Sequence, residues 1–129
     1  MDDSEETNQD PALMYFNNGE FELAEEGFTE IIRSIDPSDK ETTWSVYGLR
    51  ALCRFQLGQL EDAIADTSTA LDAAVGAAQP ETISRLYYQR GMFHLTLDDS
   101  DSHIADFSNA YRYDPKHELD PLKDDRHLP

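Results

Sequence analysis

The residues AIADTSTA at positions 63–70 return as HIADFSNA at positions 103–110, so that Ile-Ala-Asp-x-Ser-x-Ala occurs twice in one register. A fainter third copy, LAEEGFTEI at positions 23–31, precedes them, and successive copies are 39 and 40 residues apart. Self-similarity at this spacing is typical of stacked repeats. Because short helical arrays usually offer binding surfaces, the repetition predicts an interaction protein rather than an enzyme.

The spacing of apolar residues places the copies in helices. Between Phe21 and Ile35 the apolar residues recur three and four positions apart, as on one face of a helix. Start and stop signals such as Pro80 and Gly58 divide the chain into six helices, and no strand-like alternation occurs. Very short turns force neighbouring helices to run antiparallel. We therefore expect an all-α superhelix of three antiparallel helical hairpins over residues 10–115.

The ends of the chain and one helix start are predicted separately. Residues 1–9 are polar and acidic, without periodicity, and we expect a disordered segment there. Residues 116–129 read as a polar tail, with a short capping helix as the alternative. Ser38 followed by Glu41 predicts a capping box at the start of the third helix.

Composition excludes several classes of function. The 129 residues carry a formal net charge of −17, which argues against nucleic-acid and anionic-membrane partners. It permits a basic protein partner, but acidic surfaces mostly serve solubility, which is the simpler interpretation. Cys53 is the one cysteine, so no internal disulfide can form. The acidic start does not read as a secretory signal, and we expect a cytoplasmic protein.

Small residues, turn glycines, aromatics and closing prolines recur at matching places in the three hairpins. They are Ala12, Tyr15, Gly19, Phe21, Ala24, Phe28 and Pro37; then Tyr47, Ala51, Gly58, Leu60, Ala63 and Ala70; then Tyr87, Gly91, Phe107, Ala110 and Pro115. This pattern resembles the tetratricopeptide repeat family. The third hairpin departs from it, with Asp98 at the turn glycine and His103 at an alanine.

The resemblance implies a binding groove, because in that family the first helix of each hairpin lines the concave face. Carried over position by position, the lining residues are Leu13, Phe16, Asn17, Ser45, Leu52, Phe55, Gln56, Arg85, Tyr88, Met92, Leu95 and Thr96. We expect Phe55 and Tyr88 to face one concave space as partner anchors, although such rings also serve as core residues.

One subfamily, the chaperone adaptors, grips a C-terminal carboxylate with a basic clamp. The equivalent places here are Gln9, Leu13, Leu49, Arg85 and Gln89, of which only Arg85 is basic. That activity is therefore not expected of this chain.

Two charged pairs recur at one spacing. Arg50 precedes Asp66 by 16 residues, and Arg90 precedes Asp106 by the same number. The first hairpin has Pro11 and Gly27 at these places, so both partners are missing together. We interpret the pairs as structural salt bridges within hairpins, with charged contacts to a partner as the alternative.

No constellation for catalysis or metal binding emerges. His94 and His103 flank an aspartate-rich turn, but their spacing fits no standard ligand pattern, and polar surface residues are the simpler interpretation. No nucleophile motif or phosphate-binding glycine loop occurs. We therefore predict no enzyme activity, no cofactor and no metal.

The predicted function is a non-catalytic scaffold that binds a peptide or helix of another protein, basic and apolar in character, in its concave groove. The alternatives are a regulatory domain of a multi-protein system and a self-associating module. Self-association would use an exposed apolar stripe on the last helix, made of Ile104, Phe107, Ala110 and Tyr111.

Overall fold

The computed structural model describes residues 10–116, and every regular element in that range is a helix. The predicted segment 1–9 and all but the first residue of the predicted tail 116–129 lie outside the described residues. The six helices are α1 (Asp10–Asn17), α2 (Phe21–Arg33), α3 (Lys40–Gln56), α4 (Leu60–Ala74), α5 (Pro80–Thr96) and α6 (Ser100–Tyr113). Each helix packs against the next in the chain, which gives three hairpins: α1/α2, α3/α4 and α5/α6. The all-α prediction is confirmed.

The turns inside the three hairpins share one backbone conformation. Gly19 and Gly58 both have φ +81°, and Asp98 has φ +64°. In the second hairpin, Gly58 N–H bonds the carbonyl of Phe55 at 3.1 Å and Gln59 N–H bonds that of Arg54 at 2.8 Å, as in a Schellman motif. In the third hairpin, Asp98 N–H donates to the carbonyl of Leu95 and Asp99 N–H donates to that of His94, both at 2.9 Å. Aspartate tolerates the left-handed region, so the turn forms without glycine.

The start of α3 corrects one prediction. The residue that caps α3 is Asp39, whose carboxylate accepts from Thr42 N–H at 3.1 Å and from Thr42 Oγ1 at 2.7 Å. Ser38 instead donates from its N–H and its hydroxyl to Asp36. The capping box at Ser38 is wrong because the helix begins one residue later than the box requires.

The hairpins are narrow because small residues line their inner faces. Ala24, Ala51, Ala63 and Ala110 are fully buried. Gly91 has the tightest surroundings: a Cβ built there would lie 2.6 Å from the Phe107 ring. The absence of a side chain at Gly91 therefore lets α5 and α6 approach closely while Phe107 fills the space between them.

The apolar stripe predicted on α6 is wrong as a continuous exposed surface. Phe107 and Ala110 are fully buried against α5, whereas Ile104 is 48% exposed. The two buried residues point into their own hairpin, where the repeat pattern requires an aromatic and an alanine. No helix in residues 10–116 combines the length and apolarity needed to cross a bilayer.

Candidate functional site

A buried charge network joins the first two hairpins. Arg50 donates from Nε to Asp66 Oδ2 at 2.8 Å and from Nη2 to Oδ1 at 2.9 Å, a bidentate pair between α3 and α4. Its Nη1 reaches back to Thr29 Oγ1 on α2 at 3.1 Å. Arg54 adds bonds to Glu25 at 2.8 Å and to Asp66 at 3.2 Å. Three helices therefore meet at one set of guanidinium groups.

The same network recurs 40 residues later. Arg90 donates to both oxygens of Asp106 at 2.8 Å and to Ser68 Oγ of the preceding hairpin at 2.9 Å. His94 occupies the place of Arg54, and its Nε2 lies 3.8 Å from Asp106 Oδ2. The second network thus keeps the bidentate pair but has a histidine in place of the second arginine.

Arg50 and Arg90 each bridge neighbouring helices. The pKa of Arg50 and that of Arg90 are raised above the usual value, chiefly by the hydrogen bonds that they donate to Asp66 and Asp106. Both aspartates are almost fully buried. A buried carboxylate needs a partner, and in both pairs the arginine across the hairpin supplies it.

A first depression lies where α1 and α2 meet α3. It encloses about 330 Å³ and is mostly apolar. Its lining comprises Leu13, Phe28, Ile31, Glu41, Thr42, Ser45, Val46 and Leu49.

A second depression lies on the other side of α3, between α3 and α5, and encloses about 410 Å³. Its lining comprises Glu41, Trp44, Ser45, Gly48, Leu49, Leu52, Thr82, Arg85, Leu86 and Gln89. Glu41, Ser45 and Leu49 belong to both depressions. These three residues are four positions apart, so one face of α3 forms a ridge between the two depressions.

Four of the twelve predicted groove residues line these depressions: Leu13, Ser45, Leu52 and Arg85. The predicted aromatic residues pack against other rings. Phe55 stacks on Phe93 with centroids 4.8 Å apart, Tyr88 stacks on Phe107 at 4.8 Å, and Phe16 meets Phe21 at 5.8 Å. Each of the three is half-buried. Asn17, Gln56, Leu95 and Thr96 are exposed near the ends of their helices, and Met92 is half-buried.

Sequence reasoning missed part of the lining. Leu49 and Gln89 stand at clamp positions of the family pattern and not among the predicted groove residues, yet both line the second depression. Gln89 Nε2 donates to the carbonyl of Gly48 at 3.3 Å and to Thr67 Oγ1 at 3.1 Å, so it is fixed across α3, α4 and α5. The i, i+4 spacing of Ser45 and Leu49 was the signal that could have found Leu49.

The other histidine and cysteine side chains within residues 10–116 form no metal site. Within residues 10–116, no three His, Cys, Asp or Glu side chains are grouped so that they could hold a metal ion. Cys53 is fully buried, and burial raises the pKa of its thiol to about 11. His103 is buried with its ring against Phe107, and its Nδ1 has no hydrogen-bond partner among the described residues.

Comparison with known proteins adds two findings. The tetratricopeptide repeat family profile matches residues 84–117, which span most of the third hairpin. DnaJ homolog subfamily C member 7 of Mus musculus is 28% identical over 97 residues, or 75% of this chain. Those residues cover 18% of the mouse protein, so the chain spans less than a fifth of that relative's length.

Both findings agree with the geometry. The profile match falls on a hairpin whose turn, arginine–aspartate pair and buried alanine, Ala110, have counterparts in the hairpin before it. Residues 84–117 thus match a tetratricopeptide repeat, and the three stacked hairpins give the chain an all-helical architecture similar to that family.

Proposed function

We propose that this chain is a non-catalytic scaffold that binds a segment of a partner protein across the two depressions beside α3. Tetratricopeptide repeats mediate protein–protein interaction. The observation that carries the proposal is the pair of adjoining apolar depressions, since a ligand segment could place one side chain in each.

The character of the lining supports an apolar anchor. Leu13 and Leu49 face the first depression, and Leu49, Leu52 and Leu86 face the second. Glu41 and Arg85 are the charged residues among the lining side chains. Burial of a ligand's aliphatic or aromatic side chains against these leucines would supply most of the affinity.

The net charge of −17 suggests that the ligand carries basic residues beside its apolar anchors. A basic segment would be drawn towards the chain at low salt and released as ionic strength rises. A partner whose apolar anchors are flanked by Lys or Arg therefore fits this protein better than an acidic one.

The test uses a displayed library of random peptides, selected on the intact chain. Ser45 is a suitable residue to change because it is small, uncharged and exposed and lies in both depressions. Ser45→Arg would fill the groove, whereas Thr69→Arg adds the same charge at an exposed position of α4 that lines neither depression. Circular dichroism checks that both variants remain helical.

Selected peptides should lose about tenfold or more in affinity on Ser45→Arg and bind Thr69→Arg almost normally. Equal binding by both variants would show that the depressions are the wrong surface. Fluorescence anisotropy with the individual peptides gives the affinities, and a salt titration checks the contribution of basic flanks.

A further inference from the structure

The three turns inside the hairpins lie on one edge of the array, because the two helices of each hairpin run antiparallel. We call residues 17–23, 57–62 and 97–101 the turn edge. These residues include seven aspartates or glutamates and no lysine or arginine. The exposed lysines and arginines within residues 10–116 lie towards the opposite edge, and they are Arg33, Lys40, Arg85, Arg112 and Lys116. The turn edge therefore carries negative charge that no exposed lysine or arginine of this range offsets.

A third depression lies on the turn edge, between the first turn and the end of α3. It encloses about 370 Å³, and its lining comprises Gly19, Glu20, Phe21, Glu22, Leu23 and Leu57. None of these residues lines either depression beside α3. The third depression is therefore a separate surface, and a ligand bound there is independent of the function proposed for the other two.

Three of the lining side chains are apolar and partly open to solvent. Phe21 is half-buried and meets the ring of Phe16 edge-on, with centroids 5.8 Å apart. Leu57 is half-buried as well, and Leu23 is 43% exposed. An apolar ligand side chain covers the exposed surface of these residues, and the removal of that surface from water favours binding.

Two carboxylates stand beside these apolar side chains. Glu20 and Glu22 are exposed, and neither carboxylate forms an ion pair or a hydrogen bond with any residue in the range 10–116. Arg54, the arginine nearest to the depression along the chain, is engaged by Glu25 at 2.8 Å and by Asp66 at 3.2 Å. A cationic group of a ligand can therefore meet both Glu20 and Glu22 without displacing a cation of the described chain.

We propose that the third depression binds a segment of a partner protein in which lysines or arginines flank an apolar side chain such as leucine. The apolar side chain packs against Phe21, Leu23 and Leu57. The flanking cations face Glu20 and Glu22. Charge complementarity selects this occupant, because a segment with acidic flanks meets only like charge on the turn edge.

A second copy of this chain offers no such segment in its described part. The exposed large apolar residues within residues 10–116 are Met14, Leu23, Val75, Leu95, Leu97 and Ile104. None of them has a lysine or arginine within two positions along the chain. The proposed occupant is therefore a different protein.

The experiment adds the peptide Lys-Lys-Leu-Lys-Lys, capped at both ends, to the isotopically labelled full chain and follows the backbone amide signals by nuclear magnetic resonance. A second peptide with serine in place of leucine keeps the charge and removes the apolar anchor. The position of the shifted amides shows which surface the peptide occupies, and a titration gives its affinity.

Two pairs of variants separate the apolar contribution from the charge. Leu23→Ser removes an apolar side chain from the depression, and Val75→Ser is its matched control, because Val75 is 44% exposed and follows α4 on the opposite edge. Glu22→Gln removes one charge from the first turn of α2, and Glu81→Gln removes one charge from the first turn of α5. Circular dichroism checks the fold of each variant.

We expect the leucine peptide to shift the amides of residues 19–23 and 57–59 with saturation, and the serine peptide to bind several-fold more weakly. Leu23→Ser should weaken binding of the leucine peptide about threefold or more, and Val75→Ser less than about twofold. At low salt, Glu22→Gln should weaken it about twofold, and Glu81→Gln should leave it nearly unchanged.

The proposal is overturned if the leucine and serine peptides bind alike, because charge alone would then account for the shifts. Shifts confined to residues 41–49 overturn it as well, since the peptide would then occupy the depressions beside α3. The absence of a saturable shift, or equal losses in the two members of each variant pair, would also contradict it.

Discussion

The position of Cys53 in the fold makes its thiol unreactive. It is fully buried in the core of the first two hairpins, and burial, with the charge of Glu25 as a smaller cause, raises the pKa of its thiol to about 11. The reactive thiolate is therefore scarce near neutral pH, and reagents cannot reach it.

We expect Cys53 in the native chain to react with a disulfide reagent such as DTNB far more slowly than in the denatured chain. Absorbance of the released chromophore measures both rates. Native and denatured chains reacting at the same rate would contradict the burial of this thiol.

Asp98 is a second residue whose role is local. It adopts φ +64° at the turn where the other two hairpins have glycine. A side chain in this region is strained, and glycine relieves the strain at some cost in backbone entropy. Asp98→Gly should therefore raise the free energy of unfolding by about 0.5–1 kcal/mol.

The reciprocal change provides the control for this prediction. Gly58→Asp places the strained residue in the second hairpin and should lower stability by a similar amount. Urea unfolding followed by circular dichroism measures both variants. A loss of stability in Asp98→Gly would mean that the aspartate makes a contact worth more than the strain.

At the scale of the element, the helix caps couple stability to acid. Asp39 caps α3 and Asp99 caps α6, and the pKa of each is lowered from the usual 3.8, chiefly by the hydroxyl of Thr42 or Ser102 and then by its backbone N–H. A carboxylate whose pKa is lower in the folded state stabilises that state above its unfolded pKa. This stabilisation is lost as the pH falls through the lowered folded value.

Asp39→Ala and Asp99→Ala should therefore lower the melting temperature near neutral pH. The difference from the unmodified chain should shrink as the pH falls below 3.8 and disappear once the pH is below the lowered folded pKa of each carboxylate. Thermal melts across this range test the prediction. A difference that persists at low pH would show that the caps do not act through their charge.

The arginine–aspartate pairs also act at the scale of the element, since each joins helices. Arg90→Ala leaves Asp106 buried without its bidentate partner, with His94 Nε2 3.8 Å away, and should cost about 1–3 kcal/mol. Arg50→Ala should cost less, because Asp66 retains Arg54 at 3.2 Å.

A double-mutant cycle measures the coupling within the pair. Arg90→Ala combined with Asp106→Ala should recover part of the loss, because no unpaired carboxylate then remains in the core. Strict additivity of the two single changes would show that the pair contributes no interaction energy.

At the scale of the whole molecule, α4 connects the array. Asp66 of α4 is held by Arg50 from α3, and Ser68 of the same helix accepts from Arg90 of α5. Arg50 also bonds Thr29 of α2. Because neighbouring hairpins share these contacts, the interfaces should couple their unfolding.

We therefore expect Trp44, the one tryptophan, to report the same unfolding transition as circular dichroism. Trp44 lies in the second hairpin, whereas the circular dichroism signal averages over all the helices. Coincident midpoints in urea would support a single cooperative unit. An earlier loss of helical signal would indicate that an outer hairpin unfolds alone.

Sequence alone determined the helices and their pairing. The 39- and 40-residue spacing, the turn residues and the apolar period are local signals, and they were enough for six helices in three hairpins. The 16-residue separation of Arg50 and Asp66 was also readable, because two antiparallel helices with a short turn bring such positions opposite each other.

Tertiary structure alone decided which side chains form the candidate site. Whether Phe55 faces the groove or stacks on Phe93 depends on how the next hairpin is rotated against its own, and no local pattern encodes that rotation. The same is true of Leu49 and Gln89, which reach a common depression from different hairpins. Helix periodicity specifies the face on which a residue lies, but the packing of one hairpin on another decides what that face meets.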